Sequence, residues 1–95
     1  MAKAVYNGET IAESEDIKII DGNWYFPKNS INKKYLKESP THLIRADKGE
    51  ANFYNIYVVD DKVSWNAAWY YSKPNRESKD IKDRIGFGPG IQIEK

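Results

Sequence analysis

Val63-Ser64-Trp65-Asn66-Ala67-Ala68-Trp69-Tyr70-Tyr71 is the segment of the sequence that indicates the fold class most directly. Apolar and aromatic side chains recur in it at every second position: Val63, Trp65, Ala67, Trp69 and Tyr71. Successive side chains of a β-strand point to opposite faces, so this spacing places all five on one face. The alternate positions are far more polar. The pattern predicts a half-buried antiparallel strand, and it leaves open whether the rings form core or line a pocket.

Composition limits the class of protein. The 95 residues are expected to form one domain, 1–95, with one hydrophobic core. Lys and Arg (15) nearly balance Asp and Glu (14), and the resulting net charge of +1 argues against nucleic acid or an anionic membrane as a partner. The chain has no cysteine, which excludes disulfides, thiolate catalysis and cysteine-bound zinc. It shows no apolar signal core or membrane-spanning stretch, so a soluble, cytoplasmic protein is expected.

Turn signals divide the remaining sequence into short strands. Asn7-Gly8 and Asp21-Gly22 are hairpin signals within a predicted meander of strands at 3–6, 9–14, 17–20 and 23–26. Residues 51–59 carry apolar groups on both faces, which predicts a central strand. Helical turns are predicted within 28–38, ended by Pro40, and at 76–84. The predicted fold is mainly β: a small antiparallel sheet or partial barrel with two short helical segments.

A set of ordered motifs resembles a known family. The motifs include Ala4-Val5-Tyr6-Asn7-Gly8, Asp21-Gly22-Asn23-Trp24-Tyr25-Phe26-Pro27, Lys48-Gly49-Glu50-Ala51, Ala67-Ala68-Trp69-Tyr70-Tyr71 and the closing stretch from Phe87 to Ile93. In order and spacing the chain is similar to the domain-of-unknown-function family 427 over nearly its whole length. The resemblance implies a β-tent-like architecture, with small antiparallel sheets packed at an angle around a cleft, in a stand-alone bacterial protein. Some members carry the label of nucleotidyltransferase.

One segment departs from the family pattern. Members often have a Cys-Pro-Trp run before Lys-Gly, and this chain has Arg45-Ala46-Asp47 at the matching positions. Any pocket shape or reactivity that depends on that run is therefore missing here. The arginine and aspartate are expected to pair with each other or with a polar ligand.

The principal site prediction is a cleft walled by aromatic side chains. Its expected walls are Tyr25, Tyr54, Trp69 and Tyr71. Tyrosine and tryptophan suit such walls because each combines an apolar body with one polar group. The small Ala67 and Ala68 beside Trp69 leave space that protein or ligand must fill. The alternative is that these rings, together with Trp24 and Trp65, are simply the core.

Two charged residues are expected at the polar edge of this cleft. Lys48 precedes Gly49 on a bend, where its ammonium group can meet an anionic ligand. Glu13, beside Ser14 at a strand end, can act as a general base or hold a cation. The alternative interpretations are an exposed lysine in a turn and a solvated carboxylate. A planar, partly anionic metabolite would suit the predicted site.

Other polar residues favour structural roles. His42 is the single histidine, and without cysteine or a G-x-S-x-G motif no catalytic triad is indicated. The segment Gly86-Phe87-Gly88-Pro89-Gly90 lacks the ending of a phosphate loop, and we expect a rigid turn that delivers Phe87 to the core. No spacing of known metal ligands is found among Glu13, Asp47, Asp60 and Asp61. A solvated face is favoured over a nucleic-acid site for Lys28, Lys33, Lys34 and Lys37.

The sequence therefore favours a small-molecule-binding module with an aromatic-lined cleft. The first alternative is a nucleotide-directed enzyme, in which Lys48 stabilises phosphate charge and Glu13 serves as base or cation ligand. The second is a protein-interaction domain whose exposed aromatic residues contact a partner chain. No cofactor and no oligomeric state is indicated by the sequence.

Overall fold

The computed structural model describes residues 1–45, 49–59, 62–71, 81–88 and 90–95. In these ranges the chain forms nine strands and two single 3₁₀ turns. The strands are β1 (Ala2–Tyr6), β2 (Glu9–Ser14), β3 (Lys18–Ile20), β4 (Asn23–Pro27), β5 (Leu36–Arg45), β6 (Gly49–Val59), β7 (Lys62–Tyr71), β8 (Arg84–Phe87) and β9 (Gln92–Glu94). The 3₁₀ turns are Lys28–Ser30 and Lys33–Tyr35. The prediction of a mainly β fold is confirmed.

The strands form two antiparallel sheets. One has the order β2-β1-β9, and the other has the order β3-β4-β8-β7-β6-β5. The predicted hairpin turns are both present: Asn7 and Gly8 have φ of 51° and 78°, and Asp21 and Gly22 have φ of 54° and 80°. Positive φ at both central residues matches the right-handed twist of the flanking strands. The predicted meander is nevertheless wrong, because β2 and β3 belong to different sheets.

Side-chain alternation gives the six-stranded sheet two apolar faces. One face packs against the three-stranded sheet, and its cluster includes Phe26 and Phe87 with Ile11 from β2. The opposite face carries a second cluster of buried residues: Tyr25, Ala51, Tyr71 and Ile81. Consecutive residues of β4 are therefore split between the two faces, since Phe26 joins the first cluster and Tyr25 the second. The second face positions the candidate site.

A bulge interrupts the decisive strand β7. The ladder with β6 shifts register between Tyr54 and Ile56, and Asn66 has φ of 52°. The backbone N–H of Asn66 donates to Oδ1 of Asn55 across 2.8 Å, which satisfies a donor that the ladder leaves unpaired. The strand is antiparallel as predicted, but its five alternate residues do not share one environment, because Ala67 belongs to the first core cluster and Trp69 packs against the second. Trp65 is 69% exposed, apart from Trp69.

The helical segment predicted within 28–38 is reduced to turns. Residues 28–35 contain the two 3₁₀ turns, and Pro40 lies within strand β5 instead of ending a helix. The β5–β6 ladder shifts register between Glu38 and His42, so the missing N–H of Pro40 falls where the edge strand is irregular. Of the helix predicted at 76–84, residues 76–80 lie outside the described residues. The predicted C-terminal end of that helix is wrong, because strand β8 begins at Arg84.

Candidate functional site

A pocket of about 220 Å³ opens on the second face of the six-stranded sheet. Its lining comes from four strands of that sheet and the β3–β4 turn: Asp21, Asn23, Tyr25, Leu43, Ala51, Phe53, Trp69 and Tyr71. The structure thus brings together three of the aromatic residues that the sequence proposed as walls, Tyr25, Trp69 and Tyr71. It adds Phe53, which pairs with Trp69 in the β6–β7 ladder.

Tyr25 and Trp69 form the rigid part of this pocket. The indole Nε1–H of Trp69 donates to the hydroxyl oxygen of Tyr25 across 3.1 Å. Their rings meet edge to face, with centroids 6.5 Å apart and planes at 82°. A phenol that accepts one hydrogen bond still carries its own O–H donor. The pair therefore combines a fixed apolar wall with a hydroxyl able to donate to a ligand.

The close approach of these two rings depends on a glycine between them. Gly86 is the ladder partner of Tyr25 on one side and of Trp69 on the other. A Cβ at Gly86 would lie 2.8 Å from Cε2 of Tyr25 and 2.9 Å from Nε1 of Trp69, closer than non-bonded atoms approach. A Cβ at Gly88 would also lie close, 3.3 Å from Cζ3 of Trp69. The glycines thus make room for the indole.

The turn predicted for the glycine-rich segment is wrong for its first two residues. Gly86 and Phe87 belong to strand β8. Phe87 is buried in the first core cluster, as predicted, and its ring meets Phe26 edge to face at 5.5 Å. Pro89 lies outside the described residues. Glycines on either side of a buried Phe are therefore a signal of a strand whose other face is covered by large rings.

The polar end of the pocket consists of Asp21 and Asn23. Asp21 occupies the β3–β4 turn, and Asn23 begins β4 two positions before Tyr25. Residues two apart on a strand share a face, so the placement of Tyr25 could have identified Asn23 in the sequence. The same rule applied across the ladder from Trp69 and Tyr71 would have found Phe53 and Ala51. Asp21 and Leu43 carried no comparable signal.

Tyr54 lies on the opposite face from Trp69. It packs against the first core cluster, and its ring is 5.4 Å from that of Tyr70. It lines a separate depression of about 320 Å³ together with Lys28, Ile31, Lys33, Leu36, Glu38 and Ile85. Burial raises the pKa of Tyr54 above its usual 10.0, and the charges of ionised Tyr70 and Glu38 add to that effect. Tyr54 is therefore not a wall of the Trp69 pocket.

Of the two charged residues expected at the cleft, Glu13 is not among the described lining residues. Glu13 lies on β2 in the three-stranded sheet, where its carboxylate is 3.4 Å from Nζ of Lys3. Its side chain is 42% exposed, which agrees with the alternative of a solvated carboxylate. Lys48, together with Ala46 and Asp47, lies outside the described residues.

The remaining candidates are dispersed. His42 is exposed on the edge strand β5, and Trp24 lies beneath the ammonium group of Lys95 at 5.5 Å. Within the described ranges, no three His, Asp or Glu residues converge as metal ligands, and Asp60 and Asp61 fall outside those ranges. Nor does any helix in the described part of the chain have the length and apolar character needed to cross a membrane.

The arrangement on the second face is suited to binding a small ring-bearing molecule. Aromatic and aliphatic side chains supply the walls, and an amide, a carboxylate and a phenol supply the polar contacts. A family model described as Domain of unknown function (DUF427) matches residues 1–94. Comparison with the curated proteins gave no match.

Proposed function

We propose that this chain, which belongs to the DUF427 family, is a small-molecule-binding module whose ligand occupies the pocket at Trp69. The observation that carries the proposal is the convergence of Tyr25, Phe53, Trp69 and Tyr71 on one cavity of about 220 Å³ with polar groups at one end. A cavity of that size accommodates a single ring with a short polar substituent. Pockets of this composition are the usual form of small-molecule sites.

The geometry favours a planar ligand with a hydrogen-bond acceptor. Trp69 is held between Tyr25 and Phe53, whose ring centroid lies 6.3 Å from that of Trp69. A flat ring can add to this group of aromatic side chains with little reorganisation, because the walls are already packed. An acceptor on the ligand can take the O–H of Tyr25, and a ligand donor can reach the side chain of Asn23 or Asp21.

Benzamide is a suitable probe because it combines a flat ring with an adjacent acceptor and donor. We expect saturable shifts of the Trp69 indole N–H in NMR spectra during a benzamide titration, and smaller shifts with toluene, which lacks polar atoms. Phe53→Ala removes one wall and should weaken benzamide binding about fivefold, or about 1 kcal/mol. Trp65→Ala is the matched control, because this ring is exposed and lines no part of the pocket.

A thermal-shift screen of ring-bearing metabolites would extend the test, since a ligand that binds the folded state raises the unfolding temperature by mass action. The proposal is contradicted if benzamide and the screened compounds give no saturable response. Equal weakening by Phe53→Ala and Trp65→Ala would contradict it as well, because binding would then not depend on the pocket.

A further inference from the structure

A second concave surface lies where strand β4 ends and strand β8 begins. The backbone N–H of Lys28 donates to the carbonyl oxygen of Asp83 across 2.9 Å, one step beyond the ladder pair of Pro27 and Arg84. Two adjoining depressions of about 330 and 170 Å³ form at this point. They share four charged residues: Lys28, Lys82, Asp83 and Arg84.

Cations outnumber anions among the described residues of the lining. In the described ranges, no carboxylate lies within ion-pair distance of Lys28 or Lys82. The ammonium group of Lys28 lies instead 5.7 Å from the centroid of the Tyr70 ring. Asp83 supplies the one carboxylate among the described lining residues. Two ammonium groups without a carboxylate partner among the described residues favour an anionic ligand.

Arg84 adds a cation that is held in place. Its side chain is only 13% exposed, and its guanidinium donates to the backbone carbonyl of Asp16 at 2.9 Å and to the Asp16 carboxylate at 2.8 Å. A guanidinium has further N–H donors beyond these two. Because Asp16 already fixes the side chain, a ligand that accepts from Arg84 causes little additional loss of rotamer freedom. Asp16 also offsets part of the Arg84 charge.

We infer that Lys28, Lys82 and Arg84, with the amide of Asn29, form a site for the terminal phosphoryl group of a small phosphorylated molecule. A phosphomonoester presents three strong acceptor oxygens and close to two negative charges, which suits several donors arranged around one concavity. Two features disfavour a long polyanion as the ligand. The Asp83 carboxylate would repel it, and a net charge of +1 gives the protein little overall attraction for it. We name this surface the Lys28 site.

The Lys28 site is separate from the aromatic pocket in the residues that would bind. Tyr71 borders both the pocket and the smaller depression, but none of the proposed phosphate donors lines the pocket. The inference therefore stands whether or not the pocket binds a ring. Failure of either proposal can be recognised independently, because each has its own probe and its own variants.

Inorganic phosphate is the probe for the test. We expect saturable NMR shifts at the backbone amides of Lys28, Lys82 and Asp83 during a phosphate titration of the full chain. The double variant Lys28→Gln/Lys82→Gln should weaken phosphate binding at least about tenfold. The matched control is Lys18→Gln/Lys34→Gln, which removes the same charge from exposed positions outside the Lys28 site and should leave the affinity within about twofold. Phe53→Ala should also leave it unchanged.

Three outcomes would overturn the inference. One is the absence of a saturable response to phosphate. Another is equal weakening in both double variants, which would show general charge attraction and no site. The third is tight binding of single-stranded oligothymidylate through these lysines, with steep salt dependence and no response to phosphate alone, which would make a nucleic-acid backbone the ligand. A far-UV circular dichroism spectrum like that of the parent chain shows that each variant is folded.

Discussion

Tyr25 and Trp69 meet above Gly86, their common ladder partner, and are joined by a hydrogen bond of 3.1 Å. They come from strands β4 and β7, which are not neighbours, because β8 lies between them. Two side chains separated by a whole strand can touch only if the residue between them has no side chain. The pocket thus depends on a glycine that no ligand would need to contact.

Gly86→Ala should therefore destabilise the protein. The added methyl group overlaps both Tyr25 and Trp69, and we expect a loss of about 1–3 kcal/mol in the free energy of unfolding, typical of overpacking. Urea denaturation measures it. Gly90→Ala is the control, because there the nearest described atom, Oγ of Ser64, lies at an ordinary 3.4 Å. Equal free energies of unfolding for the two variants would show that Tyr25 and Trp69 can move to accommodate the methyl group without destabilising the protein.

Tyr25→Phe removes the acceptor of the Trp69 indole N–H while the ring remains. We expect a loss of about 1–2 kcal/mol, because a part-buried donor is left without its partner. Urea denaturation measures the loss, and NMR should show an altered chemical shift of the Trp69 indole proton. Tyr35→Phe is the control: its hydroxyl bonds Glu9 at the exposed surface, so the loss should stay below about 0.5 kcal/mol. Losses of equal size would contradict the importance of the buried bond.

Substitutions at Asn66 test whether the backbone of the β7 bulge is strained. Its Oδ1 accepts the hydroxyl of Ser39 at 2.6 Å, and its positive φ is unfavourable for most residues. Asn66→Ala should lose about 1–2 kcal/mol of stability. Asn66→Gly loses the same hydrogen bond to Ser39, but glycine adopts a positive φ without strain. The glycine variant should thus be the more stable of the two in urea denaturation. The reverse order would show that the backbone conformation at Asn66 is not strained.

The raised pKa of Tyr54 predicts that the stability of the protein depends on pH in the alkaline range. Its pKa is raised in the folded state, so the unfolded chain releases the phenolic proton first as the pH rises. The contribution of Tyr54 is therefore fully present below about pH 10, its unfolded pKa, and is lost as the pH passes upward through the folded pKa. Urea denaturation between about pH 8 and 11 should show a smaller alkaline loss in Tyr54→Phe. Identical profiles for the two proteins would contradict this.

The local features of the fold could be predicted from the sequence, and the bulge could not. Asn7-Gly8 and Asp21-Gly22 specify their hairpins through backbone conformations that few residues adopt. The alternation in β7 identified an antiparallel strand but not its bulge, because the bulge includes a hydrogen bond from Asn66 to Asn55 on another strand. The alternation of apolar residues within one segment does not reveal a hydrogen bond to a residue on another strand.

The sequence predicts those site residues whose face follows from the alternation of side chains along a strand. Trp69 and Tyr71 share a face by their spacing, and Tyr25 joins them through the pairing of β4 with β8. Tyr54 was assigned to the same cleft, yet it follows Phe53 directly and must point to the opposite face. Glu13 has no sequence spacing that relates it to Trp69, and β2 belongs to the other, three-stranded sheet.

The position of β8 also governs the order in which the chain can fold. The β3–β4 hairpin and the β5–β6–β7 ladders join strands that are close in sequence, whereas β8, which begins at Arg84, joins the two groups. Contacts that close long loops lose chain entropy before they stabilise anything, so insertion of β8 is expected to be the slow step. A nascent chain that ends before Arg84 would therefore lack the strand that pairs with both the Tyr25 strand and the Trp69 strand.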